Sequence, residues 1–184
     1  FDSPSVFAAL LDDQRGGSFT IAPQLSSSSS SSASSSAAGG ATEGLRTRQF
    51  YWPDSNILVT RFLHPSGLGE IEDFMPLLPS SSAGSSSHNP AKHNRSDIRL
   101  VRRVRVSRGA LPFALRCRPA FDYARARHHL ALDPHGATFS APAHAGGLTL
   151  RLLSSVPLRV DGDGVAADFV LRQGESAVFL LCEL

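Results

Sequence analysis

The 184-residue sequence predicts an all-β fold, a large antiparallel β-sandwich with one short N-terminal helix and two disordered loop inserts. Three observations carry that expectation. Short runs rich in valine, isoleucine, leucine and phenylalanine recur along the chain, each bounded by glycine, proline or aspartate, as strands joined by turns require. No helical period persists beyond one short segment near the start. Two polar stretches, 26–40 and 79–96, show no apolar period at all.

The elements follow in order. Pro4–Leu11 reads as the helix: Asp2 or Ser3 can cap it, Pro4 suits a first turn, and Val6, Phe7, Leu10 and Leu11 fall on one face. Ser18–Ala22 is the first candidate strand. The serine run from Ser26 through Gly40 then contains nothing apolar enough to offset the entropy of ordering it, and is expected to be a flexible insert. Arg46–Tyr51, Ile57–Leu63 and Glu70–Phe74 are the next strands, followed by the second polar insert, 79–96. Ile98–Val106 alternates Leu100, Val104 and Val106 with Arg99, Arg103 and Arg105, a strand with one face in a core and guanidinium groups in water or against acids. Phe113–Arg118, His128–Leu132, Leu148–Leu153, Leu158–Val160, Ala166–Leu171 and Ser176–Leu181 complete the set. Asp161-Gly162-Asp163-Gly164 is expected to turn a hairpin, since an EF-hand calcium loop needs further oxygen ligands and flanking helices.

Composition narrows the function classes. Hydrophobic residues make up 41% and charged residues 18% of a chain with formal net charge +2, so one domain over 1–184 is expected, with no nucleic-acid or membrane partner implied. Cys117 and Cys182 lie in apolar stretches and read as buried free thiols, with a single disulfide as the alternative. No signal peptide is visible in a chain that opens on Phe1, and the expected location is cytoplasmic.

Several residue sets invite a chemical reading. Glu70 and Glu72 would share one strand face, and the simplest reading is a solvated edge rather than a catalytic pair. His128 and His129 would point to opposite faces, with no cysteine pair to complete a tetrahedral zinc set, so neither a metal nor a cofactor is expected. Asp2, Asp54 and Asp122 each sit beside an aromatic residue and a turn; capping or arginine pairing is the simple role, and bracing a neighbouring domain or substrate the sharper one. Trp52, with Tyr51 and Tyr123, offers a ring on which a sugar can stack.

Read as ordered blocks, Phe1-Asp2-Ser3-Pro4-Ser5-Val6-Phe7-Ala8-Ala9-Leu10-Leu11-Asp12 with Gly16–Pro23, Tyr51-Trp52-Pro53-Asp54-Ser55-Asn56-Ile57, Gly69-Glu70-Ile71-Glu72-Asp73-Phe74 and Leu100–Val104 through Arg118-Pro119-Ala120-Phe121-Asp122-Tyr123-Ala124-Arg125 resemble the amino-terminal domain of family 15 glycoside hydrolases, the glucoamylase- and trehalase-like proteins. That resemblance implies a β-sandwich packed against a helical (α/α)6 barrel, the barrel carrying the two glutamates that hydrolyse an α-glucosidic bond with inversion. No barrel follows in this sequence. The implied role is therefore an accessory domain, inactive alone, with a catalytic barrel as partner and contact with an α-glucan or trehalose as a further expectation. Asp2, Trp52, Asp54 and Asp122 are the substrate-proximal or interface candidates, Asp2 foremost because it lies beside the strand that the family places upstream. A carbohydrate-binding module or a stand-alone interaction domain is the alternative.

Overall fold

The computed structural model describes residues 5–25, 44–76 and 99–184, so both polar inserts and Asp2 lie largely or wholly outside the described residues. Its strands are β1 (Ser18–Pro23), β2 (Arg46–Tyr51), β3 (Leu58–His64), β4 (Gly67–Phe74), β5 (Arg99–Arg118), β6 (His129–Asp133), β7 (Gly136–Ser140), β8 (Thr149–Ser154), β9 (Arg159–Asp161), β10 (Gly164–Arg172) and β11 (Ser176–Glu183). A short helical turn, α1 (Phe121–Ala124), follows β5, and a 3-10 turn, Ala143–Ala145, precedes β8.

Strand β5 organises the rest. Its first part pairs antiparallel with β4 and β11, giving the order β2-β3-β4-β5-β11-β8-β7-β6. Its second part pairs antiparallel with β1 and β10, and β10 with β9. One 20-residue strand thus belongs to both layers, where the sequence reads as two separate strands, Ile98–Val106 and Phe113–Arg118. The bend between the parts is local and identifiable. The register with β4 slips at Leu68/Gly69, and Gly109 adopts φ +69°, a left-handed conformation that an L side chain resists. Two neighbouring turns are tied to the bend, Ser66 accepting a bond from the Ala110 N–H at 3.1 Å and Gln173 N–H donating to the Gly109 carbonyl at 2.8 Å.

Alternation along the strands fills the space between the layers. Ile71, Val104, Val106, Ala177 and Phe179 from one layer and Leu111, Phe113, Leu115, Cys117 and Val165 from the other are all nearly inaccessible. Aromatic contacts cross between layers: Phe113 packs on Phe62 of β3 with ring centroids 6.4 Å apart, and Phe169 of β10 on Phe179 of β11 at 5.7 Å. The sandwich expectation holds in this arrangement, and the Asp161–Gly164 hairpin closes β9 on β10 with Gly162 at φ +62°.

Three expectations change. The described part of the Pro4–Leu11 helix, residues 5–11, is a loop of turns. Leu10 and Leu11 are exposed there while Val6 and Phe7 pack against the core, so the four side chains do not form one apolar face. The Asp12 carboxylate instead accepts the Gln14 and Arg15 N–H groups at 3.0 and 2.8 Å, stabilising a turn in competition with helix. Strand β7 has no counterpart among the sequence candidates, because Gly136–Ser140 offers only Ala137 and Phe139 to the core. Glu70 and Glu72 do share a face of β4, but they are buried, at 3% and 6% exposure, since β4 is an interior strand and not an edge. Both cysteines are free thiols, and burial pushes that of Cys117 up to about 12.

Candidate functional site at one end of the sandwich

The doubling back of β5 brings its two ends to the same end of the molecule. Arg102, near the start of β5, donates to the backbone carbonyl of Phe19 and stacks over the Phe19 ring at 4.8 Å, while Phe19 is itself the register partner of Cys117 near the end of β5. Arg102 also meets Asp73 of β4 in a two-pronged ion pair at 2.8 and 3.0 Å. With side-chain exposures of 14% and 19%, this pair closes the end of the core and ties one layer to the other.

Two surface features project from that end. The first is the turn between β2 and β3. Leu58 faces Asp73 and Asp73 faces Arg102 in register, so residues 52–57 leave the sheet beside the clasp. Ser55 secures the turn by donating its hydroxyl to the Trp52 carbonyl at 2.9 Å, and Asp54 takes a positive φ of 57°. Trp52 is 43% exposed and lies 6.3 Å from the Phe50 ring. The second feature is α1. Asp122, Tyr123 and Ala124 have φ of 50°, 53° and 66°, three successive residues in the left-handed region without a glycine among them. Phe121, fully buried, anchors the turn, the Tyr123 N–H donates to Ser5 at 3.1 Å, and Arg125 grips the Asp122 carboxylate at 2.6 Å. Tyr123 is left half exposed with the Arg125 guanidinium 5.7 Å over its ring.

Between α1 and the β9–β10 hairpin runs a groove of about 570 Å³ bordered by Arg15, Arg125, Arg127, His128 and Asp163. His128 is held in place rather than poised: its Nε2 meets the Asp163 carbonyl oxygen at 2.7 Å and its ring packs between Phe121 and Phe139. Trp52, Asp54 and Asp122 therefore share one end of the sandwich, but no hydrogen bond, ion pair or ring contact among the described residues joins the first two to the third. Asp2 lies outside the described residues.

The carboxylates of β4 are committed to arginines. Glu70 takes Arg61 at 2.6 Å and Arg105 at 2.5 Å, and Glu72 takes Arg103 at 2.5 Å. Burial alone would raise the Glu70 carboxyl, yet the hydrogen bonds from Arg61 and Arg105 outweigh it and hold the group below the usual carboxylate range. A general acid needs the opposite shift. Among the described residues no three histidine, cysteine or carboxylate side chains gather to hold a metal ion, and no helix is long and apolar enough to cross a membrane. Sequence reasoning missed the Arg102–Asp73 clasp and the burial of Glu70 and Glu72. The charge alternation of Glu70-Ile71-Glu72-Asp73 and Arg102-Arg103-Val104-Arg105 was the available signal, but which strands pair across the 79–96 insert was not legible.

No protein-family model matches the chain. Two curated relatives do. A trehalase of Thermoplasma acidophilum is 29% identical over 178 residues, covering 96% of this chain and 25% of the relative. A trehalase of Thermoplasma volcanium is 26% identical over 178 residues, covering 96% of this chain and 23% of the relative. The chain is thus a distant homologue of archaeal trehalases along almost its whole length, in agreement with the resemblance to family 15, and it spans about a quarter of the length of the curated relatives it matches.

Proposed function

We propose that this distant homologue of the archaeal trehalases is an accessory amino-terminal β-sandwich domain of an α-glucoside hydrolase, packing against and orienting a catalytic helical barrel and not catalytic alone. One observation carries the reading: the homology runs through nearly all of this chain but only a quarter of each trehalase, so the chain corresponds to one segment of a larger hydrolase. The chemistry of the described carboxylates supports it. Inverting hydrolysis needs an acid and a base roughly 6.5–9.5 Å apart with room for a water between them. Glu70 and Glu72 instead lie under arginine side chains, sharing Arg105 at 2.5 and 3.5 Å. The end of the sandwich that carries α1 and the β2–β3 turn is the surface we assign to the barrel, with Trp52, Asp54 and Asp122 as its contacts and Asp2 as a further candidate. Trehalose is the substrate class for the parent enzyme that the relatives' names favour.

The test is association. The portion of the Thermoplasma acidophilum trehalase outside its match to this chain, mixed with the purified chain, is expected to sediment as a one-to-one complex, weakened when Tyr123 and Asp122 are replaced by alanine. A chain that stays monomeric in that mixture overturns the reading.

A second reading, a carbohydrate-binding module, is favoured by the exposure of Tyr51, Trp52 and Tyr123 at 65%, 43% and 47%. Trp52 is the chain's one tryptophan, so its fluorescence reports on ring stacking directly. Saturable quenching or blue shift on adding maltose or trehalose supports the module; an unchanged spectrum removes it.

A further inference from the structure

The outward face of β2–β5 is as distinctive as the end of the sandwich. Register sets Arg46, Arg48, Arg61, Arg103, Arg105 and Arg108 on this face, against the two glutamates Glu70 and Glu72. Arg108 joins them through the slip at Leu68/Gly69, which turns it out beside Leu68 while Val106 stays in the core. The face therefore has more positive charge than the whole chain, whose formal net charge is +2. Both glutamates are buried and already held by Arg61, Arg103 and Arg105. Arg46, Arg48 and Arg108 have no carboxylate partner among the described residues.

Two of these arginines, Arg46 and Arg108, flank a groove. In register Arg46 faces Leu63, Leu63 faces Leu68, and Leu68 faces Arg108, so two apolar side chains lie in line between two guanidinium groups. The groove measures about 420 Å³, His64 and Pro65 also line it, and Leu63 within it is 48% exposed. We propose that it is a docking site for an extended acidic segment of a partner polypeptide, an apolar side chain seated on Leu63 and Leu68 and a carboxylate on either side meeting Arg46 and Arg108.

Charge and geometry define that occupant. β2 and β5 are three strand spacings apart, about 14 Å. Two carboxylates placed two residues either side of an apolar residue in an extended chain are separated by about 13 Å. Arginine suits this partner because its planar fork takes a carboxylate through two parallel bonds, as Arg102 already does with Asp73 in this protein. A polypeptide partner also explains the apolar side chains Leu63 and Leu68 in the groove, for which a nucleic-acid backbone has no use. The site is independent of the end surface assigned to the barrel.

The probe is the peptide acetyl-Glu-Gly-Leu-Gly-Glu-amide, titrated into the full chain while the methyl signals of Leu63 and Leu68 are followed by NMR. Saturable shifts confined to this face are expected, weakening at least fivefold from 20 to 200 mM salt and at least tenfold in an Arg46→Gln/Arg108→Gln variant whose remaining spectrum is unchanged. A Glu-Gly-Gly-Gly-Glu peptide should bind detectably more weakly. The proposal is overturned by no saturable shift at 5 mM peptide, by equal binding of Lys-Gly-Leu-Gly-Lys, by equal binding to the arginine variant, or by single-stranded DNA binding the face more tightly than the acidic peptide.

Discussion

Three successive left-handed residues at Asp122, Tyr123 and Ala124 are the sharpest departure from ordinary backbone among the described residues. For L-residues the left-handed region costs about 1–2 kcal/mol each, and the turn persists because Phe121 is buried beneath it and Arg125 binds Asp122 beside it. Ala124, at φ 66°, is the residue at which that strain can be relieved without losing a polar contact. Ala124→Gly is expected to raise stability by about 1 kcal/mol, read as a higher denaturant midpoint with an unchanged slope. An unchanged or lowered midpoint would mean that the turn is not strained in solution. Sequence singled out Asp122 for its place between two aromatics, and the arginine pair expected for it is present. The handedness of the turn was not legible, because nothing in Phe121-Asp122-Tyr123-Ala124 supplies the glycine that usually announces it.

At the scale of the element, β5 and its partners decide stability. Gly109 permits the bend at φ +69°, and a Cβ there would meet the Ser66 carbonyl as well as an unfavourable backbone conformation. Gly109→Ala should therefore cost more than about 1 kcal/mol, measured by denaturant unfolding. Charge pairs between strands of the same sheet give its stability a pH dependence. Hydrogen bonds from Arg151 of β8 and from the His135 N–H hold the Asp133 carboxyl down at about 2, and Glu70 is also held below its ordinary value. In the unfolded chain both groups take up protons at ordinary values, about 4. Their contribution is therefore complete above about pH 5 and falls as the pH drops toward 2, because the unfolded state binds more protons over that window. Unfolding midpoints at pH 6, 4 and 3 should fall in that order, and Asp133→Asn should flatten the fall; a midpoint that rises on acidification contradicts the pairing. Most strands were readable from alternation because each inward side chain, as in Val104 and Val106, alternates with an outward charge. The fusion of two expected strands into β5 was not, since a turn and a bend carrying the same glycine look alike in sequence.

For the whole molecule, the sandwich followed from the rhythm of apolar runs, and the relationship to trehalases from four ordered blocks, whereas the placing of Trp52, Asp54 and Asp122 at one end depended on β5 doubling back. That arrangement gives two chemically different surfaces, an aromatic and strained end and an arginine-lined sheet face, and on the sheet face the two glutamates are held by arginines. The accessory role proposed here makes its most direct commitment in the behaviour of the chain alone. Incubated with trehalose, the purified chain is expected to release no glucose above a buffer blank. Steady glucose release that disappears in Glu70→Gln or Glu72→Gln would contradict the account and make these buried carboxylates the catalytic pair.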